Sequence, residues 1–188
     1  MVLLNTLTDS LVTLRPFRAD DAVLLHTAIC ESLPELKPWM LWAHDGYSER
    51  EARDWVTLSR ARWNDHSYFG FAITVAGTGE FLGGCSLSHL HPVYHFCNLG
   101  YWVRTSRRGQ GIAGRAAQMA GRFAFERLGL LRAEIVVATA NLASQSVAEK
   151  IGAHREGILS NRMVVGSEVH DAIMYSLLPS DFGLSPRL

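Results

Sequence analysis

The chain has no Cys-x-x-Cys pair, only three scattered cysteines at Cys30, Cys85 and Cys97. Such spacing excludes a disulfide framework and a zinc site built on paired cysteines, and it suits a reducing cytoplasm. Neither charge is in excess, since 18 basic residues balance 18 acidic ones. A nucleic-acid partner would require a basic domain or patch, so none is expected. No apolar run approaches the length of a membrane span, and no membrane partner is expected. The opening Met-Val-Leu-Leu-Asn lacks the basic and apolar regions of a secretory signal. Internal repeats, linkers and low-complexity stretches are also missing. What remains is an ordinary globular composition, 48% hydrophobic and 19% charged over 188 residues, enough for one domain with its own core. We expect that core over about 8–178, with 179–188 as a tail.

Along the chain, residues 10–16 alternate as a first strand. Asp20 or its neighbour caps a helix over about 21–32, which Pro34 and Pro38 then interrupt with a loop carrying Trp39 and Trp42. Ser48 and Glu51 form a capping box for a second helix to about Asn64, with Ala52, Trp55, Val56 and Leu58–Ser59 inward. Strands follow over 67–75, 81–90 and 95–103, the first two joined at Gly77-Thr-Gly79. A long amphipathic helix covers 112–128 and ends at Gly129. A strand over 134–139, a short helix over 143–150 and two strands over about 153–161 and 168–178 complete the order. Runs of neighbouring strands predict antiparallel hairpins, and the single strand-helix-strand unit predicts one parallel pairing. The fold class is therefore α+β, with a mostly antiparallel sheet of about seven strands and about four helices.

The stretch most charged with chemistry is Tyr101 to Gly114. A strand end runs into Arg107 and Arg108, then Gly109, Gly111 and Gly114, then the long helix. Glycines at such a turn let a ligand approach the backbone closely. The helix aims its free N–H groups and positive dipole end at the same place. Phosphate is the ligand such a site takes. A Walker loop is excluded because Ile112 follows Gly111. Gly109, Gly111 and Gly114 also spell the dinucleotide fingerprint Gly-x-Gly-x-x-Gly. They come a hundred residues into the chain, behind two arginines, and the following strand ends at Ala140–Asn141 without the required acid.

Arg108-Gly109-Gln110-Gly111-Ile112-Ala113 resembles the Arg/Gln-x-x-Gly-x-Gly/Ala pyrophosphate loop of the GNAT superfamily of N-acetyltransferases, and Val103 resembles that family's strand end. Asn141-Leu-Ala-Ser144, Glu149-Lys150-Ile151-Gly152 and Glu156-Gly157 are similar to its second cofactor motif. With Gly100-Tyr101-Trp102, the chain resembles the RimJ/RimL branch, which acetylates protein N-termini. The resemblance covers about residues 8–178.

It implies acetyl-CoA as cosubstrate and no metal. It implies a cofactor site made of Trp102, Val103, Arg108, Gly109, Gln110, Gly111, Ile112, Ala113, Gly114, Asn141 and Ser144. A backbone N–H near Tyr101 or Trp102 would face the thioester oxygen, and Ser144 would protonate the leaving thiolate. Asn141 and Ser144 also read as ordinary helix caps, but only one of them can hold that post. Trp39 and Trp42 would line the acceptor site or simply pack in the core. His89, His91 and His95 crowd a turn and offer either a base or a solvated surface, with His89 the one assigned to the substrate. Members of the branch can carry a glutamate seven residues after their Glu-Gly glutamate; here Met163 stands there. An α-amine, with a pKa near 7.7–8.0, needs less help from a base than a lysine. The expected acceptor is thus the N-terminal α-amine of a protein, reached by direct transfer in a ternary complex. Cys85 and Cys97 read as core residues. The alternatives are a small-molecule amine acetyltransferase and a CoA-binding sensor without turnover; an acidic rim of Glu31, Glu35, Asp45, Glu49 and Glu51 suits a polycationic small molecule and a basic ribosomal-protein N-terminus alike. A homodimer is compatible with either.

Overall fold

The computed structural model describes residues 5–186. Eight strands form one sheet: β1 (Leu7–Thr8), β2 (Val12–Pro16), β3 (Phe69–Val75), β4 (Phe81–His91), β5 (Phe96–Val103), β6 (Arg132–Ala138), β7 (His154–Val165) and β8 (Glu168–Leu177). Their order is β1-β2-β3-β4-β5-β6-β8-β7. Every neighbouring pair is antiparallel except β5 and β6, which are parallel. The additional strand over the expected number is the two-residue β1.

Four helices cover the sheet: α1 (Asp21–Leu36), α2 (Glu49–Asn64), α3 (Ile112–Glu126) and α4 (Leu142–Lys150). Successive residues of a strand face opposite sides, and β3 shows it. Phe69, Phe71 and Ile73 join the larger core with α3, while Ala72 joins the smaller core with α1 and α2. Because β3 is covered on both faces, its sequence Phe-Gly-Phe-Ala-Ile-Thr-Val reads as almost unbroken apolar.

Three expectations are corrected. Helix α1 does not stop before Pro34 but runs through it to Leu36. Proline costs one backbone hydrogen bond there, and the tail of the helix is fastened from outside by side-chain contacts described below. On α2 the buried stripe is Ala52, Val56, Ser59 and Trp63, so Leu58 is exposed rather than inward. The segment after β8 does not trail away. Pro179–Phe182 make one 3-10 turn, and the Phe182 ring packs 5.3 Å from Phe125.

The feature that positions the site is where β5 and β6 part. They pair only at Phe96–Arg132, Cys97–Ala133 and Asn98–Glu134, and then diverge. Beyond Asn98, β5 keeps β4 on one side, through Gly83–Val103, and has no strand partner on the other. A wedge opens between two strand ends, with the backbone of one of them available to a ligand.

Candidate active site

The loop after β5 closes one end of this wedge. Thr105–Arg107 form a 3-10 turn, followed by Gly109 at φ 75° and Gly111 at φ 74°. Both glycines are left-handed, a conformation that L side chains adopt at a cost. A Cβ built on either meets nothing within 4 Å, so the space above the loop is open. Helix α3 begins directly after Gly111 with no side-chain cap and no acid in its first turn. Its first N–H groups, which have no intrahelical partner in any helix, therefore also lack the side-chain cap that many helix starts supply. Open space, bare donors and a positive dipole end fit a pyrophosphate.

Helix α1 pins the loop in place. Ser106 N donates to Glu31 Oε1 at 2.8 Å, Thr105 N to Ser32 Oγ at 3.0 Å, and Thr105 Oγ1 to Glu35 Oε2 at 2.9 Å. The Arg104 guanidinium, with the Ser106 N–H, holds the Glu31 carboxyl down to about 2. Arg107 is committed to Glu80 through contacts of 2.6–3.0 Å. Arg108 lies 3.8 Å from Glu35 and is half-exposed, so of the two arginines it is the one with charge to spare for a phosphate.

The wedge continues as a groove of about 1020 Å³. Trp102, Val103, Arg108, Gly109, Gly111, Ile112, Ala113, Gly114, Asn141 and Ser144 all line it; Gln110 does not, although it sits in the loop. Asn141 is the cap of α4, its Oδ1 accepting from Ser144 N at 3.1 Å. Ser144 is thereby freed from capping. The Tyr101 hydroxyl donates to the Ser144 carbonyl at 3.1 Å and lies 3.3 Å from Ser144 Oγ. Burial pushes the Tyr101 phenol up to about 12, so it stays protonated.

A second cavity of about 470 Å³ meets this groove at Met40, Tyr101 and Trp102. Its walls come from α1 (Leu25, Ile29), the segment before α2 (Trp42, Tyr47), α2 itself (Trp55) and β4 (Gly84 to Ser86). The Trp42 ring lies 6.0 Å from Trp102 and 6.4 Å from Tyr47. Trp102 can lie across β4 because its partner there is Gly84: a Cβ at that position would stand 2.8 Å from the indole nitrogen. Cys85 lines this cavity, but burial raises its thiol to about 12, and it is no ready nucleophile.

Two residues assigned to the substrate are placed elsewhere. Trp39 lines the groove rather than the second cavity, 6.5 Å from the His170 ring. His89 lines neither. The reason is register. Gly84 pairs with Trp102 at the open end of the β4–β5 hairpin, whereas His91 pairs with Phe96 at its closed end. His89 therefore sits roughly 17 Å up the strand from Gly84, at about 3.3 Å per residue. Its ring meets only Ser88 Oγ, at 3.1 Å. Sequence reasoning missed Met40, Tyr47 and Gly84; the Gly83–Gly84 pair inside a strand was the available signal of close approach.

The acidic rim is largely neutralised. Glu31 pairs with Arg104, Asp45 with Lys37, Glu49 with Arg53 and Glu51 with His44, while Glu35 accepts from Thr105 Oγ1 and stands 3.8 Å from Arg108. His44 Nδ1 lies 3.0 Å from the Asp45 carbonyl oxygen and its Nε2 2.8 Å from Glu51 Oε1. Both partners are acceptors, so these contacts favour the protonated ring and raise its pKa. The Ser48 hydroxyl and N–H, with His44, hold Glu51 at about 2. Since the folded pKa of His44 is raised, the stability it adds is full below the unfolded value of about 6.5. It disappears as pH climbs through the folded value. The melting temperature of the wild type should exceed that of His44→Gln most at pH 6, with the difference shrinking by pH 8.5. A difference that grew with pH would contradict this pairing.

Comparisons with known proteins agree with this geometry. The acetyltransferase (GNAT) domain family matches residues 12–154. YdaF of Bacillus subtilis (strain 168), named as a candidate ribosomal N-acetyltransferase, is 30% identical over 91% of this chain and 93% of its own. A Vibrio cholerae structure, described as a candidate ribosomal-protein-serine acetyltransferase, superposes with a TM-score of 0.80 at 30% identity, over 93% of this chain and 97% of its own. Mycobacterium smegmatis RimJ, solved in complex with CoA-disulfide, superposes with a TM-score of 0.83 at 26% identity, over 93% of this chain and 85% of its own. A match that runs from β2 through the splayed strands and the loop to the end of α4 leaves one assignment: the chain belongs to the GNAT acetyltransferase family, and it transfers an acetyl group from acetyl-CoA to an amine.

Proposed function

We propose that the acceptor is the N-terminal α-amine of a protein, acetylated in the cytoplasm by direct transfer within a ternary complex. The observation that carries this reading is the character of the second cavity. It is walled mostly by apolar and aromatic side chains, it shares Tyr101 and Trp102 with the groove, and of the two acids that line it Glu51 is held by His44 and Ser48, while Asp54 stands 3.8 Å from Arg50. A polycationic small molecule would find few carboxylates to bind, whereas a peptide terminus needs an apolar slot and a neutral amine. The names of the relatives point the same way.

Acetyl-CoA supplies the thioester. Within the chain, the bare N–H groups at the start of α3 and Arg108 would hold its pyrophosphate, and the partnerless edge of β5 would orient the arm. A backbone N–H near Tyr101 or Trp102 would face the thioester oxygen as it gains charge. The histidine that lines the cavity, His44, has its two ring nitrogens turned to the Asp45 carbonyl and the Glu51 carboxylate. An α-amine tolerates that, because a fair fraction is neutral at about pH 7.5. The Ser144 hydroxyl, 3.3 Å from the Tyr101 hydroxyl, would give its proton to the departing thiolate and regain one from solvent, and the amine's surplus proton would pass to water. A thiolate is already a stable leaving group, with a thiol pKa of about 8.5. Ser144→Ala should therefore lower kcat by only about tenfold, less than the usual 10²–10⁴ of general acid–base catalysis, and leave KM for acetyl-CoA unchanged. An unchanged kcat would remove Ser144 from the chemistry.

The test is thiol release from acetyl-CoA with a panel of acceptors. Peptides with a free N-terminus should turn over, and the same peptides blocked at the N-terminus should not. Rapid turnover of spermidine or kanamycin, with none on the peptides, would transfer the activity to small amines.

A further inference from the structure

A third concavity, of about 1320 Å³, lies at the end of the sheet where β2, the end of α2 and the end of α3 converge. Arg15, Arg18, Arg60, Arg127 and His66 line it, and no carboxylate does. Arg15 is neutralised by Asp21 at 2.6 and 2.7 Å. Arg18, Arg60 and Arg127 are exposed and have no carboxylate partner among the described residues. Most other arginines are paired, including Arg53, Arg104, Arg107, Arg115, Arg122 and Arg132. Three unpaired arginines thus share one cleft in a chain of zero formal net charge; Arg62, Arg155 and Arg162 also have no carboxylate partner among the described residues but do not line it, and Asp20 and Asp65 stand nearby without lining it.

The cleft neighbours the acceptor cavity. Phe17 lines both. On α2, Asp54, Trp55 and Leu58 face the acceptor cavity, and Ala61 lines the cleft. Positions three and four apart share a helix face, and the step from Leu58 to Ala61 is about 4.5 Å along the axis. A polypeptide leaving the acceptor cavity along α2 would reach the cleft within a few residues.

We propose that this cleft binds an acidic stretch of the acceptor protein, a few residues downstream of the amine being acetylated. The inference rests on the peptide reading of the acceptor cavity. Electrostatic complementarity would give specificity and faster encounter. RNA fits less well. Single-stranded nucleic acid is held by exposed stacking rings along a basic track; the aromatic side chains here, Trp63, Phe69 and Phe123, are buried in the core.

Two peptides that share their first four residues test this, one continuing with aspartates and glutamates, the other with lysines and glutamines. The wild type should show a KM for the acidic peptide about tenfold lower, an advantage that shrinks as salt rises. The variant Arg18→Glu/Arg60→Glu/Arg127→Glu should erase the advantage while kcat, KM for the other peptide and the acetyl-CoA thermal shift stay within twofold of wild type. Salt titration of the wild type provides a reading independent of the variant's folding. Fluorescence anisotropy of the labelled acidic peptide provides one independent of turnover: if no peptide is acetylated the acceptor reading fails, yet binding that the triple variant loses still upholds the cleft. Equal KM values with no acidic preference in binding would overturn the proposal, as would a ribosomal RNA fragment that binds through these arginines while the acidic peptide does not.

Discussion

Gly111→Val is expected to leave a folded protein that acetyl-CoA no longer stabilises. In the wild type, acetyl-CoA at about 100 times its dissociation constant should add about 2.7 kcal/mol. For a chain of this size that raises the melting temperature by roughly 5–10 °C, at about 2–4 °C per kcal/mol. Gly111 is exposed, left-handed, and open above its Cα. A valine there pays roughly 1–2 kcal/mol for the left-handed conformation, a local cost the fold can bear. Its branched side chain would occupy the space above the loop where the bare donors of α3 point. Differential scanning fluorimetry with and without acetyl-CoA reads the result. A variant that retains the full shift would mean the loop is only an entry to the helix.

Asp21→Ala should produce the largest loss of stability, about 3–5 kcal/mol by urea denaturation, because it removes one partner of a buried pair. Asp21 is 1% exposed. Its oxygens accept from both terminal nitrogens of Arg15, at 2.6 and 2.7 Å, and from Arg18 N at 2.6 Å. Alanine leaves the Arg15 guanidinium mostly buried without its counter-charge, at the junction of β2 and α1. A loss below about 1 kcal/mol, the range of an exposed pair, would show that solvent reaches Arg15 and that the pair is peripheral.

Local features were legible in the sequence and long-range ones were not. The loop from Arg108 to Gly114 and the Ser48–Glu51 capping box follow from spacing within one turn of helix, and the structure places them as read, while of the two cap candidates Asn141 and Ser144 it is the structure that picks Asn141. The single parallel pairing follows from the order of the elements. What escaped depends on register and on partners far apart in the chain. Nothing near Pro34 announces that Glu31, Ser32 and Glu35 will be tied to residues 104–106, which hold the helix past its proline. The acidic rim looked available because Arg104 and Arg108 lie some seventy residues away in sequence. His89 looked close to the acceptor because its strand is adjacent, yet the hairpin carries it to the far end. Gly84 shows its purpose only once Trp102 is seen across it.

The most direct measurement of the central claim is intact-mass spectrometry of ribosomal proteins incubated with the enzyme and acetyl-CoA, followed by fragmentation to locate the modification. The account predicts a single added acetyl group, mapped to the α-amine of an N-terminus, and no such group with Gly111→Val. Acetyl groups confined to lysine side chains, or none on any protein under conditions that acetylate spermidine or kanamycin, would contradict it.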